Sequence, residues 1–416
     1  MAVSHFQIAF RFLWAKKRAM LMSIGGIALG VAFFILTQAQ TSGFEQFYIR
    51  TILGTSGAIQ IRDRFQDTLR TMELAEEGKP SFRIAHRESR QYIPGIAEPD
   101  EVGNALLQFE NVSGVSAIVG GSVRLRTTAN EATVYTFGID LDAHLRVSSL
   151  GDQILFGNLE TFRNSPQGVL VGSTLARRMR LRLGDSFFID TPDQTRPYRV
   201  AAIYETGVRE IDEARVYIHL PEARSLLKRP HGASFLQVNL WEPDRAEADA
   251  ERMEEVTGHF AYSWQEREQA WLEVFRALRV SSGLTVAAII VISGLGMFNT
   301  LAMIVMEKTR EIAILRSVGF EQRDIVRIFL WQGALALGIG VFGGWILGAL
   351  FTYGVSRIPI RIRGIFSTDS FVVNWSIDHY LLAAGITTVV VILATLLPAR
   401  RAARLEPADV IRNVAQ

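Results

Sequence analysis

The 416-residue chain contains no cysteine, which excludes disulfide frameworks, thiolate metal sites, cysteine nucleophiles and an N-terminal lipid-modified cysteine. Charge is scarce: Asp, Glu, Lys and Arg make up 21% of the residues, against about a quarter in an ordinary soluble chain. Neither sign is in surplus. A net charge of +2 gives no case for nucleic acid, whose readers carry a strong basic excess. No phosphate loop of the form G-x-x-x-x-G-K-S/T occurs, because the one Gly-Lys pair, Gly78-Lys79, is followed by Pro80. Neither H-E-x-x-H nor G-x-S-x-G is present, and the 7 histidines stand apart without metal-ligand spacing.

What the chain has instead is hydrophobic length. Hydrophobic residues make up 49% of it, the mean hydropathy is +0.18, and four stretches carry no charged side chain: Ala19–Thr41, Val280–Met306, Ile328–Ser356 and His379–Ala399. Each is about 20 residues or longer, enough at 1.5 Å per residue to cross a hydrocarbon core of roughly 30 Å. A helix satisfies its own backbone in lipid, so these stretches predict four transmembrane helices. The first apolar run is longer than a signal-peptide core, which points to an uncleaved anchor. Arg11, Lys16, Lys17 and Arg18 precede the first span. Lys308, Arg310, Arg316, Arg323 and Arg327 lie between the second and third, and Arg400, Arg401, Arg404 and Arg412 follow the fourth. The connection from third to fourth has only Arg357, Arg361 and Arg363. The positive-inside rule then places both termini and the 307–327 loop in the cytoplasm.

The expected fold is therefore an α-helical membrane protein with four transmembrane helices and a large α+β extracytoplasmic domain between helices 1 and 2, in the periplasm of a cell with two membranes. Its divisions are a cytoplasmic segment 1–18, spans at 19–41, 280–306, 328–356 and 379–399, an outer domain at 42–279, a coupling loop at 307–327, a short outer loop at 357–378 and a cytoplasmic tail at 400–416. Within the outer domain, β-branched and aromatic runs predict strands at Ala58–Arg62, Val115–Val119, Ser122–Thr127, Thr133–Ile139, Ser186–Asp190, Tyr198–Tyr204, Arg215–His219 and Phe235–Leu240. Helical patterns occupy Asp100–Phe109, Ser173–Leu183, Leu220–Lys228 and Arg245–Val256. Phe65–Ala97 is polar, broken by Gly78-Lys79-Pro80 and Pro94-Gly95, and reads as a long loop or insertion.

Three features could carry function. Phe44, Phe47, Tyr48, Thr51 and Ile52 after the first span, and Trp264, Trp271, Phe275 and Leu278 before the second, recur at helical spacing. They read either as stalks that continue the spans outward or as an interfacial aromatic belt. Gly340, Gly344 and Gly348 in the third span, and Gly26 and Gly30 in the first, stand four residues apart, a spacing that lets helices approach closely in lipid. The cytoplasmic loop from Glu307 to Phe320 predicts a short helix stopped by Gly319, followed by a second from Gln322. Ile312, Leu315 and Val318 form its expected apolar ridge, flanked by Glu307, Lys308, Arg310, Glu311 and Arg316, a pattern suited to docking in a groove of a cytoplasmic partner. The spans hold no ionisable residue apart from His379 at one edge. Ion-coupled transporters keep such residues as relays, so the energy for any transport has to come from another subunit.

The run VMEKTREIAILRSVGF with WQGALALGIGVFGGWILG after it, SIGGIALGVAFFILTQAQTSGFEQFYIRTILG around the first span, and LPARRAARLEPADVIRN after the fourth resemble the permeases of the four-span MacB/FtsX-like ABC transporter superfamily. Within it they are most similar to the Lol-type lipoprotein-releasing permeases, the LolC/LolE family. The resemblance runs over roughly the first 60 residues and the last 140, and thinly from Gly168 onward. It implies that Glu307–Gly319 is a coupling helix for an ABC ATPase subunit, with Glu311, Ile312, Leu315 and Arg316 in the contact. It also implies a permease dimer, self or homologous, over two ATPase copies that bind ATP and Mg, with no cofactor in this chain. Gly26, Gly30, Phe34, Phe44 and Phe47 would then line the dimer seam where lipid enters, and the inner membrane is the expected location. Lipoprotein or membrane lipid is the expected cargo, passed to a periplasmic carrier or adaptor. The alternatives are an adaptor-dependent efflux permease for a drug, peptide or glycolipid, and a scaffold that regulates a periplasmic cell-wall hydrolase by mechanotransmission. Two departures stand against carrier recruitment of the familiar Lol kind: the short turn in DTPDQTRPY and the long Phe65–Ala97 segment.

Overall fold

The computed structural model describes residues 17–64, 95–358 and 370–404, together with Ala9 and the strand pairs 361–362 and 366–367. The body of the Phe65–Ala97 segment, most of the N-terminal segment and the tail beyond Arg404 lie outside the described residues. Along the chain the elements are α1 (Lys17–Ser56), β1 (Ile59–Arg62), α2 (Pro99–Leu106), β2 (Val112–Arg126), β3 (Glu131–Ile139), α3 (Leu141–Val147), β4 (Ile154–Gly157), α4 (Leu159–Arg163), β5 (Gly168–Gly172), α5 (Ser173–Met179), β6 (Ser186–Asp190) and β7 (Thr195–Tyr204). They continue with α6 (Arg209–Ala214), β8 (Arg215–His219), α7 (Leu220–Leu226), β9 (Phe235–Leu240), α8 (Ala246–Thr257), β10 (Phe260–Ser263), α9 (Trp264–Arg267), α10 (Gln269–Glu307), α11 (Thr309–Ser317), α12 (Gln322–Ser356), β11 (Arg361–Ile362), β12 (Phe366–Ser367) and α13 (Ile377–Ala403). The chain divides into two units, one of residues 47–272 and 360–369 and one of the remainder.

The first unit is α+β. One 10-stranded mixed sheet runs in the order β10-β1-β9-β2-β3-β8-β5-β7-β4, with β6 joined to β2 and β7. The sequence predicts two strands where the 15-residue β2 is continuous. Gly120 and Gly121 do not break it. They mark the place where it changes partners, since Val112–Ile118 pairs with β9 and Val119–Arg126 pairs with β3. Two apolar cores follow from that switch, one around Ile59, Ile61, Leu236, Val238 and Trp264, the other around Val169, Val171, Phe187, Val200 and Ile218. The sequence reading missed β5, whose five residues are all buried. A strand covered on both faces shows no alternation, and a run this short reads equally as helix. It also missed β4 and β10 at the two ends of the sheet, and the one- or two-turn helices α3, α4, α6 and α9.

In the second unit, α1, α10, α12 and α13 are each long and apolar enough to cross a membrane. At 40 residues α1 is about 60 Å long, roughly twice a hydrocarbon core. Both α1 and α10 overrun their uncharged stretches at the end nearer the sheet in sequence. Small residues set the packing. Side chains built on Gly340, Gly344 and Gly348 of α12 would strike Ile27, Val31 and Ile35 of α1 at 2.7, 2.6 and 3.0 Å. On α10, Ser293 Oγ donates to Gly26 O at 3.0 Å and Ser23 shares a 2.9 Å hydrogen bond with Thr300. Gly294 faces Val390 of α13, and Gly333 of α12 faces Thr395. Thus α1 and α13 each lie against both α10 and α12. Half of α1's apolar window is buried, against under a third in the other three, which makes it the best-covered helix of the bundle. Outward from it stand Leu284, Ile292, Phe342, Leu350 and Leu393, each more than half exposed, a surface that suits lipid rather than water.

Candidate functional site

The charged loop between α10 and α12 folds as its spacing predicts. α10 ends at Glu307, α11 takes Thr309–Ser317, Gly319 adopts φ 108°, and Glu321 with Asp324 forms a reciprocal capping box that starts α12. What the spacing misplaces is the outward face. Ile312 and Ala313 are buried, Ile312 in the same core as Ile304, Val305, Ile325 and Ala402, and Leu315 and Phe320 pack against that core. The expected ridge of Ile312, Leu315 and Val318 is therefore not one exposed surface. Solvent meets Glu307, Arg310, Glu311, Ile314, Ser317, Val318 and Gly319 instead. Ile314 is 49% exposed and Val318 76%, which makes these two the apolar centre of the face.

Arg316, expected to reach a partner, instead donates Nη1 to Ala403 O at 2.6 Å and so caps the end of α13. Lys308 forms an ion pair with Glu311 one turn on. Buried Ile312 and the Arg316 cap hold α11 at a fixed rotation on the bundle, while the Glu307–Arg310–Glu311 charges rim Ile314 and Val318. Ile314 is the apolar residue of this face that lies outside the expected set. Its signal was the 307, 310, 314, 318 stripe, which competes with the 312, 315, 318 stripe until packing sets the helix phase.

The other expected residues divide among different jobs. Gly26 and Gly30 are covered by Ser293 and Ile290 of the same chain, and Phe34 is a core residue at 4% exposure, so these three do not offer a free seam. The side of α1 left open carries Leu21, Met22, Leu29 and Phe33, with open space at Gly25. Phe44 meets Phe371 edge-on at 5.2 Å, and Phe47 is half-buried. Near them Gly43 touches the 372–374 backbone, Asn374 N–H donates to Ala39 O at 2.9 Å, Ser42 shares a 3.0 Å hydrogen bond with His379, and Glu45 pairs with Arg279.

Trp264 is a correction, because it belongs to the sheet core and its indole N–H donates to Pro243 O at 2.9 Å. Trp271, Phe275 and Leu278 lie on α10. Trp271 sits 5.4 Å from the ring of Tyr48, whose hydroxyl donates to Glu268 at 2.6 Å. Phe275 is buried and Leu278 is half exposed. The turn in DTPDQTRPY is a tight β6–β7 hairpin, closed by Thr191 N–H to Gln194 O at 2.9 Å. Gln194 Nε2 pins it to α7 by donating to the carbonyls of Ser225 and Leu226, both at 3.0 Å.

Comparison with known proteins places two families on the chain. The MacB-like periplasmic core domain matches residues 20–256, more than half of it, and the FtsX-like permease C-terminal region matches 283–407. The lipoprotein-releasing system transmembrane protein LolC of Xylella fastidiosa is 25% identical, covering 97% of this chain and 98% of that protein. LolE of Haemophilus influenzae is 24% identical over 98% of this chain and 99% of its own length. The macrolide export ATP-binding/permease protein MacB of Chromobacterium violaceum is 23% identical over 98% of this chain, but only 60% of that protein is covered.

Proposed function

From a chain that belongs to the family of the MacB-like periplasmic core domain, joined here to an FtsX-like permease C-terminal region, we propose the permease subunit of an ATP-driven ABC transporter that extracts lipoprotein from the inner membrane. α11 is the coupling helix. The observation that carries this reading is its fixed, charge-rimmed face around Ile314 and Val318, mounted on a bundle of four membrane-length helices. ATP and Mg belong to a separate ATPase subunit, in keeping with the absence of a phosphate loop from the sequence. Two such ATPases and a second permease, identical or homologous, complete the assembly, and α1 and α10 carry the motion to the α+β unit on the periplasmic side.

Energetics favours a shielded transfer. A buried methylene contributes about 0.8 kcal/mol, so three acyl chains of about 15 methylenes each hold a lipoprotein by roughly 36 kcal/mol. Release into bare water is beyond one nucleotide turnover, so the acyl chains have to pass between apolar surfaces. The pinned β6–β7 hairpin supports a handover other than carrier recruitment of the familiar Lol kind. Similarity to MacB over nearly the whole chain keeps adaptor-dependent efflux of a drug, peptide or glycolipid as the second reading. A scaffold acting on a cell-wall hydrolase is the third.

The test is co-purification from native membrane with and without changes in α11. The double variant Ile314→Asp/Val318→Asp is expected to lose the ATPase at least tenfold while its melting temperature holds. Ile312→Asp is expected to destabilise the chain itself by about 3–5 kcal/mol, the cost of an uncompensated buried charge. Retention of stoichiometric ATPase by the double variant would reject α11 as the contact. Added lipoprotein should raise ATP turnover of the wild-type complex, whereas co-purification of a membrane-fusion adaptor, with no response to lipoprotein, would move the assignment to efflux.

A further inference from the structure

A helix leaves its last four carbonyls without intrahelical partners, and those at the end of α1 are met one by one from within the α+β unit. Gly57 takes φ 67° and returns its N–H to Leu53 O at 3.2 Å. Ser149 N–H donates to Gly54 O at 2.8 Å. Arg215 of β8 donates Nη1 to Thr55 O at 3.3 Å and Nη2 to Ser56 Oγ at 3.4 Å. Arg267, the last residue of α9, donates Nη1 to Ser56 O at 3.2 Å and Nη2 to Gly57 O at 2.8 Å.

Two guanidinium groups thus stand at the negative end of the helix dipole. Both are half-buried, and although burial pushes Arg267 down to about 10 it remains charged at neutral pH. Burying arginine is costly unless its hydrogen bonds are made, and a helix end capped by glycine and solvent needs neither residue. Arg267 also stands two residues before Gln269, where α10 begins, and Glu268 between them accepts the Tyr48 hydroxyl of α1. One short stretch therefore grips the end of one long helix and opens the other.

We propose that Arg267, supported by Arg215, is a positioning residue that makes the ends of α1 and α10 a single stiff joint, through which ATP-driven displacement of α1 reaches the sheet. This rests on the transport reading above. Without the joint, α1 would move against a compliant connection and the ATP would be spent without release.

Because the chain has no cysteine, the joint can be measured by spin labels at Arg50→Cys on α1 and Glu251→Cys on α8, in the full chain reconstituted with its ATPase in nanodiscs. The expected distance distribution is narrow with and without nucleotide, and at least twice as wide in Arg267→Ala. In the unlabelled Arg267→Ala protein, ATPase association and basal ATP turnover are expected to stay within twofold of wild type, while lipoprotein released per ATP falls at least tenfold. A Cβ built on Gly54 lies 3.4 Å from Ser149 Cβ, close to disulfide spacing. Gly54→Cys/Ser149→Cys in the Arg267→Ala background should therefore restore release when oxidised and lose it again on reduction.

An unchanged width in Arg267→Ala overturns the joint. Loss of release that the oxidised crosslink does not recover overturns the positioning role. If the wild-type protein releases no lipoprotein while Arg267→Ala still broadens the distribution, the joint stands and the cargo assignment falls.

Discussion

His144 sits on α3 at 0% exposure, 5.5 Å from the ring of Tyr217, and neither ring nitrogen has a hydrogen-bond partner. Burial, with the Arg215 charge adding to it, lowers its pKa from 6.5 to about 3. Asp212 on α6 is also fully buried, and its Oδ1 accepts from Thr206 N at 2.9 Å and Thr206 Oγ1 at 2.8 Å. Burial raises it from 3.8 to about 6, against the pull of the Thr206 hydrogen bonds. The two groups bind protons in opposite senses on unfolding. Between about pH 6.5 and 3 the unfolded chain protonates His144 and the folded chain does not, so stability present at neutral pH is lost on acidification. Asp212 is protonated in the folded chain first, so its contribution is full below 3.8 and is lost as pH rises through about 6. Each slope is about 1.4 kcal/mol per pH unit, and from pH 4 to 6 they offset one another. Asp212→Asn should thus make unfolding free energy fall with acidification by about 1.4 kcal/mol per pH unit more than wild type over that window. His144→Phe should tilt it the other way. Denaturant titrations in detergent at pH 4, 5 and 6 measure this, and parallel curves for all three proteins would refute the assignment. A lone histidine or aspartate in a sequence carries none of this, because the shifts come from neighbours far along the chain.

Elements fixed by composition were legible, and their pairings were not. The four-residue spacing of Gly340, Gly344 and Gly348 announces a close helix approach, yet nothing in α12 says that its partner is α1 of the same chain. For Gly344 the approach is tightest against fixed atoms, with a built Cβ 2.6 Å from Val31 Cβ and 2.9 Å from Ala28 O. Gly344→Val is expected to destabilise the bundle by about 1–3 kcal/mol or more, as overpacking does. Gly354→Ala on the same helix, with no atom within 4 Å of the added carbon, should leave melting unchanged or raised. Equal melting temperatures for wild type and Gly344→Val in detergent would show that α1 and α12 do not pack this way. The spacing of Gly26 and Gly30 read equally well as a seam between copies. Ser293 and Ile290 occupy that face, which leaves the Leu21, Met22, Leu29 and Phe33 side for other contacts. In the sheet, β3, β6, β7, β8 and β9 were found from their β-branched and aromatic runs, whereas the five-residue β5, buried on both faces, carries no alternation that separates it from a helix.

For the whole molecule, the charge asymmetry of the loops makes an orientation prediction that labelling can check. A membrane-impermeant maleimide should reach Gln108→Cys on intact spheroplasts, and Ser317→Cys or Arg400→Cys only after permeabilisation; the reverse pattern would invert the proposed transporter. The sequence by itself determined the number of long apolar helices among the described residues, the missing phosphate loop and the charged helix between α10 and α12, and it predicts the solvent of each segment. Those properties are sums over neighbouring residues, and lipid or water selects on such sums before any tertiary contact forms. Only the tertiary structure decided that Ile314 faces out while Ile312 faces in, that Arg316 caps α13, that Trp264 lies in a sheet core, and that Arg215 and Arg267 close the end of α1. A helix can turn about its axis without changing its sequence pattern, so its phase and its partners are settled by packing between segments hundreds of residues apart.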